Sequence, residues 1–164
     1  MKEKDLNRLP PLNVPYASLK LTCDPEGNLK VYDILRKKFV SLTPEEFVRQ
    51  NFVRWLIEDL HYPSSLMANE VEIKLNDTRK RCDTVVFSNE CQPLMIIEYK
   101  APDIVISQAT FDQILRYNRK LKAKYLVVTN GIKLYCCVID YSNDTYQFIP
   151  KIPDYTEVRM PNPN

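Results

Sequence analysis

The sequence predicts an α/β domain, a central mixed β-sheet flanked by helices, and three observations carry that prediction. Apolar residues recur at helical spacing in two segments, 44–60 and 107–121. At 69–76, 81–87, 93–99 and 125–140 they instead alternate with polar residues or run together over strand lengths. The order that results is helix, three strands, helix, two strands, and a strand, helix, strand connection normally returns parallel and right-handed. With 164 residues, 45% hydrophobic and 10% aromatic, the chain can build one sizeable core.

Residues 1–30 carry Pro10, Pro11, Pro15 and Pro25 and read as an arm lying over the domain, with a short strand at 16–22. The folded unit is expected over 31–150 and a frayed tail over 151–164. At the first helix Thr43 is a good N-cap, Pro44 suits the first helical position, and Glu46 completes a capping box. Val48, Phe52, Trp55, Leu56 and Leu60 then share a face, and Pro63 ends the run. In 69–76 (NEVEIKLN) Val71, Ile73 and Leu75 alternate with Glu70, Glu72 and Lys74, as in a half-exposed strand. Segments 81–87 (RCDTVVF) and 93–99 (PLMIIEY) are more apolar, and the polar SNECQ between them predicts an antiparallel meander. The second helix sets Phe111, Ile114, Tyr117 and Leu121 inward, with Arg116, Arg119, Lys120 and Lys124 mostly outward. Asn130-Gly131 inside KYLVVTNGIKLYCCVIDY predicts a type I′ hairpin, with Cys136 and Cys137 on opposite faces, and 144–149 adds an edge strand. The strand at 125–129 should lie beside one of the meander strands.

Scarcity excludes several chemistries. His61 is the only histidine, which removes two-histidine metal sites and disfavours a Ser/His/Asp triad. Gly27 and Gly131 are the only glycines, too few for a P-loop or a dinucleotide fingerprint. Five cysteines without a CxxC pair suggest neither a disulfide framework nor a zinc site. No apolar run has the length of a signal peptide or membrane span, so a cytoplasmic protein away from membranes is expected. A net charge of +2 does not by itself argue for nucleic acid.

The stretch LMIIEYK, 94–100, ends an apolar strand with an acid and a base. Alternation places Leu94, Ile96, Glu98 and Lys100 on one face. If Phe87 pairs with Leu94 and Val85 with Ile96, Asp83 falls opposite Glu98, with Cβ atoms about 4.5 to 5.5 Å apart. Two carboxylates so close repel, and a divalent cation removes the conflict. Mg²⁺, with Mn²⁺ as the alternative, takes one or two carboxylates together with waters and phosphate oxygens, and Lys100 can hold a phosphate or orient the attacking water. That is metal-assisted phosphodiester hydrolysis. An isolated ExK is more often a surface ion pair. The apolar strand, the matching Asp and the following helix favour the functional reading.

With these residues in place, CDTVVF…LMIIEYK resembles the PD-(D/E)XK nuclease motif. The wider likeness, over about 31–140, is to the N-terminal nuclease domain of type I restriction enzyme R subunits, through VYDILRKKFVSLTPEEFVRQ, RCDTVVF, IIEYKAP, FDQILRYN and YLVVTNG. It implies a restriction-endonuclease-like αβββαβ core, Asp83 and Glu98 as metal ligands and Lys100 as the catalytic lysine. The family also places a glutamate of the first helix near the metal. Glu45, on the stripe of Val48, Phe52 and Leu56, is favoured, and Glu46 is the alternative. A QxxxY motif of related nucleases is matched by Gln113 and Tyr117, with Tyr117 also readable as core. Cys82 stands where the motif has proline. R subunits continue into an ATP-driven translocase, whereas this sequence has no P-loop, so motor activity is not implied. DNA is the expected partner, with Tyr117, Arg81 and Arg116 among the candidate contacts and Lys74, Arg79, Lys80 and the stretch to Lys124 as further positive charge. Separate translocase, specificity or methylation subunits and a homodimer are further expectations. The competing expectation is a DNA-binding or assembly module that does not cut, and RNA or modified DNA as substrate is a third.

Overall fold

The computed structural model describes residues 1–75 and 78–159, and the side chains of Lys74, Leu75, Thr78, Lys80 and Arg159 lie outside the description. Its elements run α1 (Glu3–Leu6), β1 (Leu21–Cys23), β2 (Leu29–Asp33), β3 (Lys38–Ser41), α2 (Pro44–Glu58), a 3-10 turn (Ser64–Leu66), β4 (Met67–Leu75), β5 (Thr78–Phe87), β6 (Pro93–Tyr99), α3 (Gln108–Leu121), β7 (Tyr125–Thr129), β8 (Leu134–Asp140), β9 (Thr145–Ile149) and α4 (Tyr155–Arg159). Strands β4 to β9 form one sheet in chain order. The β6–β7 pair, joined through α3, is parallel, and the other neighbours are antiparallel. The mixed sheet and its parallel return are those the sequence predicts.

The sheet is covered on both faces because its central strands are apolar on both. Val86, Met95, Ile97, Tyr99, Val127 and Cys136 pack with Val48, Phe52 and Leu56 of α2. Val85, Ile96, Leu126, Val128 and Cys137 pack with Phe111 and Ile114 of α3. Phe52, Leu56 and Ile114 are fully buried, each worth about 1.5 to 3 kcal/mol of hydrophobic stabilisation. Cys136 and Cys137 do take opposite faces, and all five cysteines are free thiols.

Several local expectations are corrected. A second sheet, β1–β2–β3, precedes α2, and the strand expected at 16–22 occupies Leu21–Cys23. In β2, LKVYD buries Leu29, Val31 and Asp33 and half-exposes the residues between. The Val85–Ile96 register is as predicted, but a bulge after Val86 pairs Phe87 with Pro93 in place of Leu94. The capping box is half made. Thr43 Oγ1 accepts from the Glu46 amide at 3.0 Å, while the Glu46 carboxylate turns to arginines Arg36 and Arg49. The β7–β8 hairpin forms, but Gly131 has φ 82° and Asn130 has no positive φ, so the turn is not type I′. Asn130 Oδ1 instead accepts from the amides of Ile132 and Lys133 at 3.0 and 2.8 Å, closing the loop through its side chain. Leu12 and Val14 of the N-terminal arm are buried, and the Asn13 amide donates to Gly131 O at 2.6 Å.

Candidate active site

The β5–β6 register pairs Val85 with Ile96 and ends at Thr84 with Ile97, and the next residues of the two strands are Asp83 and Glu98, close enough for their charges to interact. At that level the β4–β5 ladder skips a pair. It runs from Asn69 with Thr84 to Val71 with Cys82, leaving Glu70 and Asp83 out, and Glu70 adopts φ 58°. The break upsets side-chain alternation, so that Val86 packs on the α2 side and Cys82, an even step away, on the α3 side. Asp83 sits at this break. Its Oδ2 accepts from the Tyr99 amide at 2.8 Å and its Oδ1 from Arg49 Nη2 at 3.0 Å.

Glu98 is 5% exposed. Its Oε1 accepts from Lys100 Nζ at 2.8 Å and from Gln113 Nε2 at 3.1 Å. Gln113 Nε2 also donates to Tyr117 Oη at 3.1 Å, so the i, i+4 pair of α3 meets as helical geometry requires. The Lys100 amide donates to Thr129 O at 2.9 Å, and the buried Asn130 donates to Ile104 O at 2.9 Å, which ties the segment after Lys100 to the β7–β8 loop.

Burial, then the charge of Asp83, pushes the Glu98 carboxyl up to about 7. Burial also raises Asp83, against the pull of Arg49 and the Tyr99 amide. Burial and Asp83 raise Glu45 in the same direction. Burial would lower Lys100, but its hydrogen bond to Glu98 and the charges of Glu98, Asp83 and Glu45 outweigh it, so the lysine stays an ammonium. Burial and their mutual repulsion therefore disfavour the ionised form of these carboxylates.

Arg49, not among the residues expected at the site, lies at its centre. It is 3% exposed, and its guanidinium lies 2.8 Å from Glu46 Oε2, 2.7 Å from Glu70 Oε1, 3.0 Å from Asp83 Oδ1 and 3.6 Å from Glu45 Oε1. Its Cζ stands 5.5 Å from the centre of the Tyr99 ring. Beyond it, Glu46 Oε1 accepts from Arg36 Nη2 at 2.7 Å and Gln50 Nε2 at 2.7 Å. Arg36 Nε in turn donates to the buried Asp33. Asp33 also accepts from Asn69, whose Oδ1 accepts from Thr84 Oγ1 at 2.6 Å. Glu70, read as a solvent-facing strand residue, is instead shared between Arg49 and Arg81. A charged residue at the inward helical phase of VRQNF was the available signal for Arg49.

Of the two helix glutamates, Glu45 is the one that stays partly exposed and feels Asp83 and Lys100, while Glu46 is buried among Arg36, Arg49 and Gln50. Asp83, Glu98, Lys100, Gln113 and Tyr117 come together, and Glu45 approaches them through Arg49. Among the described residues no three His, Cys, Asp or Glu side chains are grouped closely enough to hold a metal, so the expected trio of Asp83, Glu98 and Glu45 is not assembled. The pair Asp83 and Glu98 fits a hard divalent ion on its own chemistry. Both carboxyls are raised, and both hydrogen bonds to Glu98 fall on Oε1. Arg81 is exposed and donates to Glu70 at 2.9 Å, and the exposed Arg116 donates to Asp112 O at 3.1 Å. Arg79 is exposed, 3.8 Å from Glu72, and the side chains of Lys74 and Lys80 lie outside the described residues.

The family described as type I restriction enzyme R protein N terminus matches residues 44–153. A solved fragment of an HsdR subunit of a type I restriction enzyme from Vibrio vulnificus YJ016 is similar at 20% identity with a TM-score of 0.38, over 57% of this chain. The chain spans 19% of that protein's length. Among curated proteins none matches. No helix among the described residues is long and apolar enough to cross a membrane.

Proposed function

This chain belongs to the family of type I restriction enzyme R protein N termini, and from that premise we propose that it is a Mg²⁺-dependent endonuclease-like domain hydrolysing DNA phosphodiester bonds. The observation that carries the reading is the buried Glu98, which lies within the electrostatic reach of Asp83 and holds Lys100 at 2.8 Å on one oxygen.

Asp83 and Glu98 would hold the ion, which when bound would supply Lewis-acid activation of a water and neutralise charge on the phosphoryl oxygens. Lys100, an ammonium beside those carboxylates, donates to a phosphate oxygen and stabilises negative charge as it develops there. Gln113 fixes the Glu98 rotamer through Oε1, and Tyr117 fixes Gln113. Arg81 and Arg116 are exposed and lend positive charge to flanking phosphates. Family membership makes restriction-system subunits with translocase, specificity or methylation roles the partners to test.

The experiment compares wild type, Lys100→Ala and Asp83→Ala on supercoiled DNA, linear DNA and RNA, with Mg²⁺, Mn²⁺ or EDTA. Metal-dependent DNA cleavage by the wild type is expected, reduced about 10² to 10³-fold or more in both variants. Equal cleavage by wild type and Lys100→Ala would refute the assignment. No cleavage under any condition would support a DNA-binding or assembly module that does not cut.

A further inference from the structure

We infer that Arg49 is a resident cation that holds the site to a single divalent ion, its guanidinium standing on the side of Asp83 where a second ion would otherwise bind. The inference rests on the metal-site reading above and concerns how many ions that site accepts.

Two-ion phosphodiester sites set the second ion about 4 Å from the first, and a second set of carboxylate oxygens has to hold it. Here the oxygens able to form such a set, on Glu45, Glu46, Glu70 and Asp83 Oδ1, all converge on Arg49 at 2.7 to 3.6 Å. A guanidinium does not deprotonate in a protein, so this charge is permanent. Its fork is engaged on both terminal nitrogens, and Nε is buried without a hydrogen-bond partner. Charge, more than saturated hydrogen bonding, accounts for its place.

The surrounding charges agree. Six carboxylates, Asp33, Glu45, Glu46, Glu70, Asp83 and Glu98, are ion-paired with four cations, Arg36, Arg49, Arg81 and Lys100. With all of them ionised, the described cluster is short of two positive charges, the charge of one Mg²⁺ or Mn²⁺. Arg49 acts on substrate through Asp83 and the ion count, and is therefore a positioning residue.

The test is a Mn²⁺ titration of the whole chain at pH 8, read by calorimetry and by the free-Mn²⁺ EPR signal, with folding followed by circular dichroism. Wild type is expected to bind one ion per chain. Arg49→Gln is expected to bind two, and Arg49→Lys, which keeps the charge, to remain at one. A purely packing role for Arg49 would leave the count unchanged in every variant. Two ions in the wild type, two in Arg49→Lys, or one in a folded Arg49→Gln overturns the inference while leaving the metal site intact. No bound ion in the wild type removes the metal-site reading and this inference with it. If Arg49→Gln fails to fold with or without Mn²⁺, the equally neutral Arg49→Met decides, two ions supporting the inference and one overturning it.

Discussion

A carboxylate as deeply buried as Glu98, within reach of the charge of Asp83, binds a proton more readily in the fold than in the unfolded chain. Its folded value of about 7 lies above the ordinary 4.5, so between those two pH values the folded state holds the extra proton. Glu98 therefore subtracts stability as pH rises through that window. Asp33 and Glu70 are shifted down and act with the opposite sign, so the measurement has to be a difference. Urea unfolding of metal-free wild type and Glu98→Gln should show the variant gaining on the wild type from about pH 4.5 to 7, and a constant gap would count against the buried charge. Gln113 offers a second residue-level check. Gln113→Leu removes a 3.1 Å bond to Glu98 and should lower cleavage about tenfold, within the range for a positioning hydrogen bond, with little change in melting temperature. Tyr117→Phe, which loses contact only with Gln113 in this set, should cost less.

Among the elements, the strands and the two long helices were legible because their signals are local. The apolar pairing of Val85 with Ile96 set the register, and alternation then fixed where Glu98 and Lys100 point. The first helix declared its start through Thr43, and Thr43→Ala should cost about 1 kcal/mol in chemical denaturation by leaving the Glu46 amide unpaired. What escaped depends on backbone choices that composition does not announce. Glu70 takes a left-handed conformation without being glycine, and the Val86 bulge shifts Phe87 to Pro93. The β7–β8 loop uses its glycine differently from the predicted turn. Gly131 has φ 82°, and a Cβ added there would lie 2.6 Å from Leu12 Cδ2 and 3.2 Å from Val48 Cγ2. Gly131→Ala should therefore destabilise the protein by about 1 to 2 kcal/mol and loosen the arm, measurable as faster amide exchange at Asn13.

For the molecule as a whole, an ion that binds only the folded state adds stability in proportion to its occupancy. At a hundredfold excess over its dissociation constant the gain is about 2.7 kcal/mol, or roughly 5 to 10 °C for a chain of this size. Mg²⁺ should raise the wild-type melting temperature by that order, and Glu98→Gln should lose most of the rise. The positions of Asp83 and Glu98 were readable because each sits on a strand whose direction the sequence sets, and that of Lys100 because it directly follows one. Arg49 was not, because helical phase says which way a side chain leaves the helix and not which acids, 21 and 34 residues away, it will meet. The run Asp33, Arg36, Glu46, Arg49, Asp83 alternates in sign from the first sheet to the second. Substitutions along such a run are not independent, since removing one charge strands the next. Its members should consequently tolerate exchange in neutralising pairs far better than singly, so that sequence drift here proceeds by compensated steps, with the identity acceptable at Asp33 depending on what already stands at Arg36.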